Sequence, residues 1–192
     1  LKQANPDAIL CDSYIGDATL FIQTLKEQNY SPKMIVAKAN GFTDPSFITN
    51  LGAIANGVAS VVEFNPDLVN GVEINEEFKA EYGVDMNGHS AESYTAVWVL
   101  KTAIENAGSA EREDLKNALK DIKIEGSFPG GSEIILPYDT IEFSDIEMNG
   151  KQHTNTNGGA TLTILQIQDG AYKTVWPFEI ADGEIQYPAA YE

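Results

Sequence analysis

The stretch Ala8–Phe42, AILCDSYIGDATLFIQTLKEQNYSPKMIVAKANGF, decides the fold. It opens with the apolar run Ala8-Ile9-Leu10-Cys11 after an Asn5-Pro6-Asp7 turn, which reads as a short buried strand. Ala18, Phe21, Ile22 and Leu25 then recur at i, i+3, i+4 and i+7. That spacing lines one face of a helix running from about Gly16 to Gln28. Asp17 lies in its opening turn, where a negative charge complements the helix dipole. Ser31-Pro32 breaks the chain, and Lys33–Ala37 reads as a second buried strand. Strand, helix and strand in this order predict a parallel pair with a covering helix. Parallel sheets of this kind bind ligands in the crevice outside the C-terminal ends of their strands. The residues just after the two strands, Asp12-Ser13-Tyr14 and Ala39-Asn40-Gly41-Phe42, are therefore the first candidates for a site.

The pattern continues outward. Asp44-Pro45 opens a short helix through Leu51, with Pro45 where its missing N–H costs nothing. Gly57–Phe64 is a third, valine-rich strand, and Asn65-Pro66-Asp67 starts a connector. Phe78 and Tyr82 mark a short helix ending at Gly83. A long helix runs from about Ser90 to Ala107, stopped by Gly108. Ser109 is expected to cap the next helix, whose buried face would carry Leu115, Ala118, Leu119 and Ile122. The last third reads differently: Thr140–Phe143 is extended, and Thr161–Gln168 and Ala171–Trp176 flank Asp169-Gly170, a hairpin signal. The class is α/β, with a parallel sheet flanked by helices that begins in mid-pattern and closes with antiparallel strands.

Composition removes several function classes. Across 192 residues, 12 Lys and Arg stand against 29 Asp and Glu, a formal net charge of −17. Such an exterior repels phosphate backbones, so no nucleic-acid partner is expected. No apolar run approaches the roughly 20 residues a membrane span needs. The single cysteine, Cys11, sits in an apolar run and reads as a small buried hydrophobe. The sequence begins at Leu1 with no visible signal segment, which reads either as a cytoplasmic protein or as one whose true N-terminus lies upstream.

Motifs of catalysis are missing as well. There is no GxGxxG after a strand, P-loop, GxSxG, HExxH or CxxC. His89 and His153 have no second ligand at metal spacing. Asp145–Gly150 brushes the calcium-loop pattern but has Thr156 where the bidentate acid belongs, and reads as a solvated turn. No cofactor, no metal and no enzymatic activity are expected. Three positions carry two readings each. His89, before the long helix, is a helix-start residue or a polar group facing a cleft. Asn40-Gly41 is a turn or a ligand contact. Tyr14 is an interface aromatic or a lid.

Several stretches together, in order, resemble the type I solute-binding proteins of the leucine/isoleucine/valine-binding family. They are Asn5–Leu10 leading to Tyr14, Pro45-Ser46-Phe47, Ile54–Val58, the aromatics Phe78 and Tyr82, Tyr94–Val97 through Ala103–Ser109, Ile141-Glu142-Phe143, Leu165-Gln166 with Asp169-Gly170, and Val175-Trp176-Pro177. The resemblance covers essentially the whole chain. It implies a periplasmic-binding-protein type I fold of two Rossmann-like lobes, of which this chain is about half. Residues 1–83 would belong to lobe two, with 164–192 returning to it, and 84–163 would be a lobe-one segment. It implies a receptor of an ABC importer that captures a branched-chain or other amino acid, or a related carboxylate or amide, between the lobes. The partners would be the importer's membrane subunits and the missing N-terminal half of the same protein. The location would be periplasmic or extracellular, reached through an N-terminal signal that secretes or lipid-anchors the protein. Ligand contacts would come from Ser13, Tyr14, Asn40, Phe42 and His89. Amino acid binders of this family commonly carry an acid where this sequence has Asn40, so an ammonium group would need another carboxylate. The alternative is a ligand-sensing domain of a regulator or receptor with the same fold.

Overall fold

The computed structural model describes residues 1–38 and 40–189, so Ala39 lies outside the described residues, as do residues 190–192 of the stretch assigned to lobe two. The first strand, β1 (Ala8–Asp12), is followed by helix α1 (Ile15–Glu27) and strand β2 (Met34–Lys38). A 3-10 turn at Asn40–Phe42 leads into α2 (Pro45–Leu51), and β3 (Ala59–Val62) completes the repeat. The chain then builds α3 (Val72–Tyr82), α4 (Gly88–Ala107), α5 (Arg112–Lys120) and the short strand β4 (Lys123–Glu125). It ends in two antiparallel hairpins, β5 (Thr140–Met148) with β6 (Lys151–Asn157), and β7 (Thr163–Gln168) with β8 (Ala171–Trp176).

These strands form two sheets. One has the order β1-β2-β3-β7-β8, and the other β4-β5-β6. In the larger sheet β1, β2 and β3 run parallel, as their crossover helices require, and β7 joins β3 antiparallel. The sheet is therefore mixed, and its parallel part is the part expected from the sequence.

Each sheet has its own core. Ile9, Ile35, Phe42, Phe47, Val58 and Ile167 pack around the larger sheet, with Ala18 and Ile22 of α1 buried against it. Phe64, Met86, Phe128, Ile134, Ile135 and Ile141 form the second core with the inner side of α4. Burying one such side chain stabilises by about 1.5–3 kcal/mol relative to leaving it in water. The chain passes from the first core to the second at Glu63, directly after β3, and returns between β6 and β7.

The first passage is fixed by directional bonds. Both oxygens of Asp67 accept from Thr174 on β8, one from its N–H at 2.8 Å and one from its hydroxyl at 2.7 Å. The Asn65 amide donates to the same hydroxyl at 3.3 Å, and both Asn65 and Thr174 are buried. On the neighbouring strand Gln166, fully buried, donates to Gly57 O and Gln186 O and accepts from Gln186 N–H and the Gln168 amide.

Some expectations need correction. Helix α5 starts at Arg112 with Glu111 as its N-cap, because the Ser109 hydroxyl accepts from Glu111 N–H at 3.1 Å in a tight turn instead of capping the helix. Ile122 falls beyond that helix and is buried beside β4. Helix α4 starts at Gly88, two residues early, because Asn87 caps it by accepting from Ser90 N–H at 3.0 Å. Asp145–Met148 belongs to β5, and the turn is Asn149-Gly150 alone, both with positive φ as a tight hairpin needs.

Candidate ligand-binding site

The C-terminal ends of β1 and β2 lie side by side, so the loops that follow them meet. Gly41 N–H donates to Ser13 O at 3.1 Å. The approach is so close that a Cβ on Gly41 would lie 2.5 Å from Tyr14 C and 2.7 Å from Tyr14 O, and nearer still to Ser13 O. Only glycine fits there without moving backbone. Tyr14 is the N-cap of α1 in extended conformation, and its ring stands 76% exposed at the mouth of this edge.

His89 joins the same edge from the second core. Asn87 anchors the first turn of α4, which holds His89 at the helix start. Its Nε2 lies 2.6 Å from Asn40 Nδ2, a contact across 49 residues of sequence. Its other ring nitrogen, Nδ1, faces Glu92 Oε2 at 3.6 Å. Ser13, Tyr14, Asn40 and His89 are thus brought together. Phe42 is not. Its ring is fully buried and packs on Phe47 with centroids 5.4 Å apart, so it anchors the loop inside the first core.

Sequence reasoning missed two residues at this edge. Tyr172 of β8 bonds through its hydroxyl to Phe42 O and Asp44 O, both at 3.1 Å, pinning the loop after β2. Burial, helped by the Asp44 charge, pushes that phenol well above its ordinary pKa. Glu63 is the other. It follows β3 as Asn40 and Ser13 follow their strands, so the strand-end rule extended one strand further would have found it. Its carboxylate lies against Gly88, with Oε2 2.5 Å from where a Gly88 Cβ would stand.

Beside this edge lies a cavity of about 500 Å³ between the two cores. It is lined by Thr43, Pro45 and Ile48 from one side and by Asn65, Asp85 and Asn87–Gly88 from the other. None of the five residues expected to touch ligand lines it, although Thr43 and Gly88 are close neighbours of Asn40 and His89 in sequence. Among the described residues there is no group of His, Cys, Asp and Glu that could hold a metal ion, and no helix is long and apolar enough to cross a membrane. The arrangement offers hydrogen-bonding groups, an exposed aromatic ring and a carboxylate, drawn from both cores, along the strand ends and next to the cavity.

Comparison with known proteins identifies the fold and the family. The sequence is 29% identical over 195 residues to the Leu/Ile/Val-binding protein homolog 7 of Brucella suis biovar 1 (strain 1330), covering 98% of this chain and 45% of that protein. The chain therefore spans about half the length of the curated relatives it matches. In fold it is similar to a leucine binding protein from Thermotoga maritima MSB8, with a TM-score of 0.64 at 20% identity, covering 90% of this chain and 45% of that one. It is also similar to a fatty acid ABC transporter substrate-binding protein from Thermomonospora curvata, with a TM-score of 0.63 at 17% identity, covering 99% and 48%. The profile of the family described as periplasmic binding protein matches residues 1–171. With that match over most of its length and its mixed α/β sheet, the chain belongs to the periplasmic binding protein family.

Proposed function

We propose that the chain is the C-terminal half of the solute receptor of an ABC importer, and that it captures a small organic ligand between two lobes. The observation that carries this reading is the 2.6 Å contact between Asn40 and His89. It joins a strand-end loop of the first core to a helix start of the second, where a ligand held by both would lie. On this reading one lobe is built on the first core and the other on the second, and the two passages between the cores are the hinge. A ligand that touches both lobes only when they are shut shifts the open–closed equilibrium by its differential affinity. The closed form then docks on the importer's membrane subunits, outside the cytoplasm. Tyr14, Ser13, Asn40 and His89 are its contacts, and no bond is made or broken.

Exposed apolar surface supports a missing half. Val97, Leu100 and Ile104 lie at i, i+3 and i+7 on the outer side of α4, all exposed. Among the described residues strand β1 pairs only with β2, which leaves its outer edge open, and Leu10 is 82% exposed. Monomeric proteins rarely leave such a row and such an edge uncovered. An N-terminal half like that of the relatives would cover both.

A thermal-shift panel on the receptor with its N-terminal half tests the reading. The panel holds branched-chain and polar amino acids, 2-keto and 2-hydroxy acids, aromatic carboxylates and amides. Binding to the native state raises stability by about 2.7 kcal/mol at a hundredfold excess over Kd. A shift that His89→Ala and Asn40→Ala both abolish is the expected result. The absence of any shift across the panel counts against a receptor for these solutes, and a shift untouched by either substitution counts against the site.

A further inference from the structure

We infer that Tyr172 is a positioning residue of this site, and that its hydroxyl sets the turn after β2 so that Asn40 faces His89. The inference rests on the receptor reading and deepens it. Asn40 heads that turn, and its carbonyl accepts from Thr43 N–H at 3.2 Å and from Asp44 N–H at 3.0 Å. The Phe42 ring holds the turn to the first core, and Gly41 N–H holds it to Ser13. The rest of the turn depends on Tyr172. Among the described residues no backbone N–H bonds to Phe42 O, and the phenol hydroxyl, 3.1 Å away, is its partner. The same hydroxyl lies 3.1 Å from Asp44 O, which also accepts from Phe47 N–H at 2.8 Å. One donor thus spans residues 42 to 44 and fixes the turn that Asn40 begins.

Strand β8 serves the other side of the contact as well. Tyr172 and Thr174 are two residues apart on it and so lie on one face. Thr174 holds Asn65 and Asp67, the passage into the second core, from which His89 comes. One strand therefore anchors both the loop that bears Asn40 and the passage that leads to His89. Their contact, at 2.6 Å, is directional and is lost with a small tilt of either partner. Burial, helped by the Asp44 charge, holds the phenol protonated, so it remains a donor at neutral pH. The competing reading is a phenol that only satisfies a carbonyl in the first core. Removing its hydroxyl would then lower stability and leave affinity unchanged.

The test is a double-mutant cycle read by isothermal titration calorimetry on the full-length receptor, with L-leucine and 4-methylpentanoate as probes. Tyr172→Phe keeps the ring in the core and removes only the hydroxyl. It is expected to bind the better of the two probes about tenfold more weakly than wild type does. Asn40→Ser shortens the side chain so that it falls short of His89. In that background Tyr172→Phe should cost less than about twofold, because the group it positions is gone. Tyr30→Phe is the control. It removes a hydroxyl that meets Pro6 O in the same core, away from the site, and should leave affinity within about twofold of wild type. Wild-type affinity in Tyr172→Phe overturns the inference and leaves the receptor reading standing. So does an equal loss in both backgrounds, which would show Tyr172 acting apart from Asn40. Binding of neither probe by the wild type overturns the inference together with the receptor reading for these solutes. If Tyr172→Phe fails to fold, Tyr172→Met, which fills the space without a donor, decides the matter by the same criteria.

Discussion

Replacing Gly41 by alanine would force apart the two loops that form the crevice. The new methyl would sit 2.5 Å from Tyr14 C and 2.7 Å from Tyr14 O, both backbone atoms that cannot swing aside. Ordinary contact needs about 3.5 Å, so the loops must separate by roughly 1 Å. That movement breaks the bond from Gly41 N–H to Ser13 O, now 3.1 Å. Overpacking of this kind costs about 1–3 kcal/mol and the lost hydrogen bond about 1 more, together roughly 2–4 kcal/mol. For a protein of this size the melting temperature would fall by about 5–15 °C. Ligand affinity should fall as well, because Ser13 and Tyr14 move with the loop, and a 1 Å misplacement can cost up to about a hundredfold. Gly16 is the control. A Cβ there meets nothing within 4 Å, and the residue lies inside α1, so Gly16→Ala should stabilise by about 0.4–1 kcal/mol. Thermal melts followed by circular dichroism, with calorimetric titration of a bound ligand, read both effects. A Gly41→Ala protein that melts within about 2 °C of wild type and binds as tightly would refute the close-approach argument.

Three further perturbations follow from the same structure. Asp67→Ala orphans the buried N–H of Thr174 and takes the acceptor from its hydroxyl proton, and should destabilise by about 2–4 kcal/mol in urea unfolding, with Asp67→Asn milder; a loss below about 0.5 kcal/mol would contradict the assigned bonds. Burial, helped by the Asp12 charge, pushes the Cys11 thiol up to about 11, so at pH 8 it should react with a disulfide reagent about a hundredfold more slowly than free cysteine, and reaction at the free rate would show it to be unburied. Burial opposes ionisation of Asp85, but the Asn75 amide and the Lys79 ammonium outweigh it and hold the carboxyl below its usual pKa. Its folded pKa being depressed, its stabilisation is present above about pH 4 and lost as pH falls through the folded value, so Asp85→Asn should flatten that acid limb of the stability profile, and identical limbs would remove the assignment.

The parallel half of the larger sheet was legible because each strand is a short apolar run bounded by turn residues, and α1 shows its buried face at helical spacing. Strand β6, Lys151–Asn157, was not, since none of its residues is apolar and most are exposed. A search for alternating hydrophobicity passes over such a strand, and the only signal was Asn149-Gly150, a pair that favours the hairpin turn. The caps failed for a related reason. Ser109 and Asn87 both have the side chains that caps use, and which neighbour's N–H each accepts is decided by the path of the chain around it. At the site, the strand-end rule found the right loops but could not say which way each side chain turns. Asn40 and Phe42 are two residues apart in one 3-10 turn, yet one reaches the opposite core and the other fills its own.

What brings Asn40 and His89 together is remote from both. Each belongs to a different core, and the two cores are connected through the passage at Glu63 and the return before β7. The first passage is held to β8 at a single buried threonine, Thr174, which donates to Asp67 and accepts from Asn65. Hydrogen bonds weaken steeply when their angle changes, whereas apolar contact is non-directional. The relative placement of Asn40 and His89 therefore depends on a few polar contacts and much less on the size of either core. On the receptor reading this division has a purpose. Large apolar cores keep each lobe rigid, and the junction, being small and directional, sets the angle between them. Substitutions at Asp67 and at Gly41 should then weaken binding in different ways, the first by changing how the lobes meet and the second by deforming one wall of the crevice while the junction stays intact.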